Sequence, residues 1–192
     1  FVGVDFSTTE LTYDSFMKAA EAIFATGTVT FLPTIVTSDV PLYARNIGII
    51  REAAEKNSLL KNIPGVHLEG PFISRLPGAV GCHNPDFVRD CDPEWLLELV
   101  KISGNYIKML TVAAELEGVT DLIKCAVNEN ITVSLGHHLA TSEDVVKCAN
   151  AYALLFENNA IEIIPVPFKS AETITIDVSK LPVKAGSTLV KL

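Results

Sequence analysis

Four histidines occur in the 192-residue sequence, and all four fall at or just beyond the ends of two β-like runs. His67 and Glu69 close the first run, His83-Asn84-Pro85 lies in the loop beyond it, and His137-His138 follow Gly136 at the end of the second. Strand alternation places His67 and Glu69 on one face, roughly 6.5–7 Å apart along the chain. A carboxylate and an imidazole converging from different strand ends are what a hydrolytic divalent-metal site requires. Zn²⁺ takes such N and O donors at about 2.0–2.2 Å and keeps a position for water. Binding lowers that water's pKa to about 7 and polarises a carbonyl under attack. Each residue also has a structural reading. Glu69 can cap a strand end or pair with Arg75. His67 suits an oriented role inside the core better than ligation, and of the adjacent His137 and His138 only one is expected to point inward.

The elements that must position these residues alternate between short apolar runs and amphipathic helices. Thr12-Tyr13-Asp14-Ser15 opens a helix with Phe16, Ala19, Ala20, Ile23 and Phe24 on one face and Gly27 at its end. Val29–Leu32 reads as a strand stopped by Pro33. A second helix is expected over Val40–Lys56, capped by Ser38 or Asp39 with Pro41 in its first turn. The third strand covers about Ile63–Leu68 and runs into Glu69-Gly70-Pro71. A Gly- and Pro-rich loop follows to Asp90, and Asp92-Pro93-Glu94 begins a helix to about Ile102. Tyr106–Leu110 is a fourth strand, Gly118–Asn128 a helix, Ile131–Leu135 a fifth strand, and the segment after Thr141-Ser142-Glu143-Asp144 a fifth helix to about Tyr152.

This order implies parallel strands joined by crossover helices. It fits a closed (β/α)8 barrel or an open doubly wound sheet. No GxGxxG or GxxxxGK turn occurs, which favours the barrel. Residues 160–192 change character: Pro165, Pro167 and Pro182 punctuate them, and Glu172–Val178 alternates with period two, as in antiparallel β. Two parts are therefore expected, a partial βα domain over 1–152 and a β-rich tail over 160–192, with a boundary near 153–160.

Composition limits the function classes. With 15 basic and 23 acidic residues the net charge is −8, which argues against nucleic-acid and anionic-membrane binding. No apolar run approaches the ~20 residues that span a bilayer. The opening Phe1-Val2-Gly3-Val4-Asp5 has no signal-peptide pattern, and without an initiator Met the chain is expected to begin inside a longer parent. Cys82, Cys91, Cys125 and Cys148 form no CxxC, so they read as incidental thiols in a reducing cytoplasm, not a disulfide framework or zinc ribbon.

Val66-His67-Leu68-Glu69-Gly70-Pro71-Phe72, Gly81-Cys82-His83-Asn84-Pro85 and Ser134-Leu135-Gly136-His137 resemble the N-acetylglucosamine-6-phosphate deacetylase family of the amidohydrolase superfamily. Gly3-Val4-Asp5-Phe6 and Thr30-Phe31-Leu32-Pro33-Thr34 match it at the right separations, so the resemblance spans about residues 1–152. It implies a (β/α)8 TIM barrel of the amidohydrolase type with a small β-sandwich domain, of which only about five βα units are present here. It implies a cytoplasmic homodimer that hydrolyses the acetamide of an amino-sugar phosphate, N-acetylglucosamine 6-phosphate, to glucosamine 6-phosphate and acetate. The implied cofactor is a divalent metal ion (Zn, Fe, Mn or Co), with Glu69 and His137 as ligands and His83 and Asn84 lining the sugar pocket. Thr111-Val112-Ala113-Ala114-Glu115 stands where the family has T-L-A-P-E, which leaves Glu115 a structural candidate.

The family's third ligand, the histidine of a T-H-L-F-N-A motif, is echoed only by Ala153–Ala160, where Leu154 takes its place. The family's acid/base aspartate has no counterpart, so the catalytic residue itself is unassigned. Activity of these 192 residues alone is therefore in question. The alternatives are an inactive or truncated barrel fragment serving as a non-catalytic scaffold, and an amidohydrolase with a different amide substrate.

Overall fold

The computed structural model describes residues 1–153, and the expected β-rich tail and the Leu154 echo lie outside them. Five helices follow or separate four strands. They are α1 (Tyr13–Ala25), β1 (Thr34–Val36), α2 (Val40–Lys56), β2 (Val66–Glu69), α3 (Pro93–Ile102), β3 (Ile107–Val112), α4 (Val119–Asn128), β4 (Thr132–Leu135) and α5 (Ser142–Ala153). The starts obey local capping chemistry. Thr12 and Ser15 form a reciprocal cap on α1, and Asp39 accepts from Leu42 N–H at 2.9 Å on α2. Asp92 accepts from Trp95 N–H at 3.0 Å on α3. No helix among the described residues is long and apolar enough to cross a membrane.

All pairings are parallel, and the strands lie side by side in chain order, β1-β2-β3-β4. Consecutive helices also pack on one another, α1 on α2 through α4 on α5. A doubly wound sheet reverses its strand order and covers both faces with helices; neither occurs among the described residues. Ile35, Leu68 and Leu110 share a register and are fully buried in the core with Ile47, Ile50, Leu96, Leu99 and Leu122. The opposite face carries Val36 and Met109 together with a set of polar side chains. Thr34, His67, Thr111 and Ser134, one from each strand, form an unbroken hydrogen-bonded row across it.

Two expectations need correction. Residues 29–32 are not a strand: Val29 is exposed, and β1 begins after Pro33, not before it. The register explains the shift. Thr34 lies opposite His67, so counting back sets Phe31 opposite Pro64, which has no N–H to offer a ladder. The five βα units are likewise four strands and five helices among the described residues, because no strand precedes α1.

Instead, the opening segment is strapped to α2. Asn46, fully buried, donates through Nδ2 to the carbonyls of Phe6 and Thr8, both at 2.9 Å, and accepts from Arg45 at 2.7 Å. Ser7 Oγ then accepts the Val36 N–H at 3.0 Å. Replacing Asn46 with Ala orphans both carbonyls, and the expected cost is about 1–3 kcal/mol, read as a lower urea midpoint with an unchanged slope.

The thiols differ sharply in setting. Cys82 is exposed, whereas Cys148 is buried and Cys91 and Cys125 are half-buried. Burial pushes Cys91 up to about 12 and raises Cys125 and Cys148 as well. A raised pKa leaves less of the reactive thiolate at pH 8. Brief N-ethylmaleimide treatment of folded protein is therefore expected to label Cys82 first, as mapped by peptide mass spectrometry; faster labelling of Cys91 would contradict this burial.

Candidate metal centre

Three side chains meet beyond the C-terminal ends of the strands, where working residues of parallel βα folds are placed. Glu69 ends β2, His83 stands in the loop after β2, and His137 follows Gly136 after β4. One potential ligand atom from each lies within 4.8 Å of the others. His137 Nε2 is 3.0 Å from Glu69 Oε1 and 3.3 Å from His83 Nε2, while His83 Nε2 is 3.9 Å from Glu69 Oε2. The two imidazoles meet edge to face, with centroids 4.3 Å apart.

His137 is held on three sides by the loop after β2. Its ring nitrogen Nδ1 is 2.9 Å from the Ala79 carbonyl, its own carbonyl accepts from Ser74 N–H at 3.0 Å, and Gly81 lies against the ring. A Cβ at Gly81 would come 3.2 Å from His137 Cε1, and Gly81 also has a positive φ of 59°. His137 itself has φ 51°, a left-handed conformation that a non-glycine residue adopts only where its surroundings impose it. Glu115 reinforces the turn by accepting the Leu139 N–H at 2.8 Å.

The carbonyl partner fixes the His137 tautomer. A carbonyl oxygen can only accept, so Nδ1 carries the proton and Nε2 presents a lone pair. That lone pair faces a carboxylate oxygen at 3.0 Å, and two acceptors at that distance need a cation or a proton between them. Two donors each ~2.1 Å from one ion, at an angle of about 90–110°, are ~3.0–3.4 Å apart. The oxygen–nitrogen donor set and its spacing thus fit a divalent cation of the zinc or late first-row type.

The remaining sequence candidates sit elsewhere. His67 has both ring nitrogens occupied, by Thr34 Oγ1 at 3.0 Å and Thr111 Oγ1 at 2.8 Å, which matches an oriented role and not ligation. Burial lowers its pKa, partly offset by Glu69. Burial, then His137, lowers that of His83, again against Glu69. His138 turns away and accepts the Ala140 N–H on Nδ1 at 3.2 Å. Asn84 is exposed, and its side-chain oxygen caps the turn at Pro85–Phe87 by accepting from Asp86 N–H at 3.0 Å. Arg75 pairs with Asp90, not with Glu69.

One contributor was not foreseen. Thr37, just past β1, contacts both the Glu69 backbone and the His83 ring. The rule that selects strand ends finds it once β1 is placed at Thr34–Val36.

Comparison with known proteins places this geometry in a family context. No protein-family model matches the chain. It is 35% identical over 130 residues to an N-acetylglucosamine-6-phosphate deacetylase of Bacillus subtilis, covering 66% of this chain and 32% of the relative. It is also 35% identical over 129 residues to an N-acetylgalactosamine-6-phosphate deacetylase of a Shewanella strain, covering 66% and 31%. The crystal structure of N-acetylglucosamine-6-phosphate deacetylase from Pasteurella multocida superposes with a TM-score of 0.67 at 27% identity, covering 78% of this chain and 38% of that one. The chain spans about a third of the length of the curated relatives it matches.

In metal titrations of chelator-treated protein, Glu69→Gln and His137→Gln are each expected to weaken Zn²⁺ binding by at least about 100-fold, since each removes one of few ligands. Unchanged affinity in either variant would remove that residue from the site.

Proposed function

We propose, from the premise that this chain is a relative of the N-acetylglucosamine-6-phosphate deacetylases matching about a third of their length, that it supplies the cation-holding part of a metal-dependent deacetylase acting on an amino-sugar phosphate. The observation that carries this reading is the lone pair of His137 Nε2 opposed to Glu69 Oε1 at 3.0 Å. A divalent cation bound there polarises an amide carbonyl and acidifies water.

The chain's own residues do the holding. Glu69 and His137 present an oxygen and a nitrogen from two strand ends, and the Ala79 carbonyl keeps the nitrogen bare. His83, buried beside them, lines the pocket that takes the acetamide, and exposed Asn84 stands at its rim. Hydrolysis breaks the amide C–N bond and yields acetate and a free amine. The proton that the amine takes up comes from a residue outside the described set. In this reading β1–β4 are half of a closed (β/α)8 barrel, and the assembled enzyme is a cytoplasmic homodimer. A relative named for the galacto epimer at the same identity makes both N-acetylhexosamine 6-phosphates the substrates to compare.

Grafted in place of the matching third of the Bacillus subtilis relative, residues 1–153 are expected to support acetate release from N-acetylglucosamine 6-phosphate. Glu69→Gln in the same graft is expected to lower kcat/KM by at least about 10³-fold, the scale of several kcal/mol of lost charge stabilisation. A graft that keeps its full activity after Glu69→Gln would refute the assignment.

A further inference from the structure

We propose that Glu115 is a positioning residue for the cation site: by holding the Leu139 amide it fixes the turn that points His137, and not its neighbour His138, at Glu69. The consequence for metal binding rests on the deacetylase reading, whereas the held turn is read without metal.

The turn from Gly136 to Ala140 presents His137 in a costly conformation. Its φ of 51° is one that a residue with a Cβ keeps only where several contacts over-determine it. Three of those contacts act on His137 or on the residue before it. Gly136 N–H donates to the Val112 carbonyl at 3.0 Å, the His137 carbonyl accepts from Ser74 N–H at 3.0 Å, and the Ala79 carbonyl holds the ring at 2.9 Å. Between His137 and the start of α5, the described residues offer one hydrogen bond to another element, from Leu139 N–H to Glu115 Oε1 at 2.8 Å. Leu139 is 58% exposed, so its side chain does not hold this part of the chain by packing. The backbone bond does.

Glu115 is well placed to serve as that hold. It follows β3 behind Ala113 and Ala114, both buried, and Ala113 N–H donates to the Phe72 carbonyl at 2.9 Å. The backbone that carries Glu115 is therefore fixed to the loop after β2. A carboxylate that accepts a backbone N–H makes a charge-assisted bond, stronger than a neutral one. Its other oxygen, Oε2, is buried with no hydrogen-bond partner among the described residues, so the Leu139 amide is the one described donor that the side chain meets. Glu115 is not among the three clustered side chains, and its effect on an ion passes through the turn.

The end of β3 thus brackets Glu69 and His137 without supplying a member of the cluster. Gly70 N–H, next to Glu69, donates to the Thr111 carbonyl at 3.2 Å, and Gly136 N–H, next to His137, donates to the Val112 carbonyl. Glu115 adds a third tie, placed beyond the left-handed residue. With that tie gone, the chain after His137 is free to relax toward negative φ, and the side chains of residues 137 and 138 swing about the chain axis together. His138 has no tie of its own that would resist this. Its one described hydrogen bond stays inside the turn, where Nδ1 accepts the Ala140 N–H at 3.2 Å. The outward position of His138 is therefore set by whatever holds His137 inward.

The test compares Glu115→Met, which keeps the bulk and removes the acceptor, with Glu115→Gln, which keeps an acceptor oxygen, in the 192-residue protein. Two properties are read: the Zn²⁺ affinity of chelator-treated protein, and the ¹H–¹⁵N signal of His137 Nδ1–H in metal-free protein, identified by its loss in His137→Gln. Glu115→Met is expected to weaken Zn²⁺ binding about 10-fold or more, the scale on which groups behind a ligand act, and to shift or abolish the ring signal. Glu115→Gln is expected to stay within about threefold of wild type, because it exchanges a charge-assisted bond for a neutral one. Leu139→Pro removes the same bond from its exposed end and is expected to match Glu115→Met, so the test stands even where the Met variant does not fold. A folded Glu115→Met with a lowered urea midpoint but wild-type Zn²⁺ affinity and an unmoved ring signal makes Glu115 a support of the fold alone and overturns the proposal. Glu115→Gln as damaged as Glu115→Met also overturns it, since the role would then belong to the charge and not to the bond. Rapid hydrogen exchange at the Leu139 amide of the wild-type protein overturns it without any variant. Wild-type protein that takes up no Zn²⁺ counts against the deacetylase reading alone, and the ring signal then decides the inference.

Discussion

The site is organised around an opposition that the fold imposes and a cation would relieve. Glu69 Oε1 and His137 Nε2 are both acceptors, and they stand 3.0 Å apart. Nothing about either side chain alone demands that arrangement. It follows because the Ala79 carbonyl claims the other ring nitrogen of His137, and because the His137 backbone is held in a left-handed turn by Ser74. Left without a positive charge between them, two facing lone pairs destabilise the turn that creates them. Held by the surrounding loop, they form a preorganised pair that would bind a cation without rearranging.

The scaffold beneath separates two tasks by register. Ile35, Leu68 and Leu110 face the helices and build the core, while Thr34, His67, Glu69, Thr111 and Ser134 share the other face with Val36 and Met109. The row Thr34–His67–Thr111–Ser134 links all four strands just below the metal cluster. Side chains that hydrogen-bond both neighbours resist the one-residue slip that would exchange the two faces of a strand. Such a slip in β2 would turn Glu69 into the core. The polar row is therefore more than a solvated surface: it pins the register on which the carboxylate's direction depends.

How much of this was legible in the sequence depends on the range of the interactions. Helix starts are local, and Thr12, Asp39 and Asp92 cap the helices that their neighbours predict. The ends of β2 and β4 were legible because apolar runs stop there in Glu69 and Gly136-His137. The start of β1 was not, since Val29–Leu32 has the composition of a strand and only the pairing register, with Pro64 opposite, denies it a ladder. That misplacement by a few residues also concealed Thr37, whose hydroxyl and amide matter only because a loop more than forty residues later brings His83 against them. Likewise the competing pair Glu69–Arg75 could be dismissed only once Arg75 was seen bound to Asp90 and the Val88 carbonyl. Contacts between distant segments decide such cases, and composition carries no record of them.

Amide hydrolysis asks for more than the three side chains of the cluster. Amide hydrolysis needs a cation site, a pocket that orients the acyl group and a group that moves a proton to the departing amine. In the deacetylase reading the first two would fall, among the described residues, to Glu69, His137 and His83. Glu115, the nearest carboxylate in sequence to the β3 end, is already committed: its Oε1 holds the Leu139 N–H, which steadies the turn that presents His137. Its other oxygen is buried with no hydrogen-bond partner among the described residues. His67 is likewise closed off by hydroxyls on both nitrogens. In that reading proton transfer is not assigned to any described residue, and the matched relatives are about three times as long as the region they share with this chain. In the deacetylase reading, metal uptake and substrate turnover would be separable properties, the first local to the two strand ends that carry Glu69 and His137.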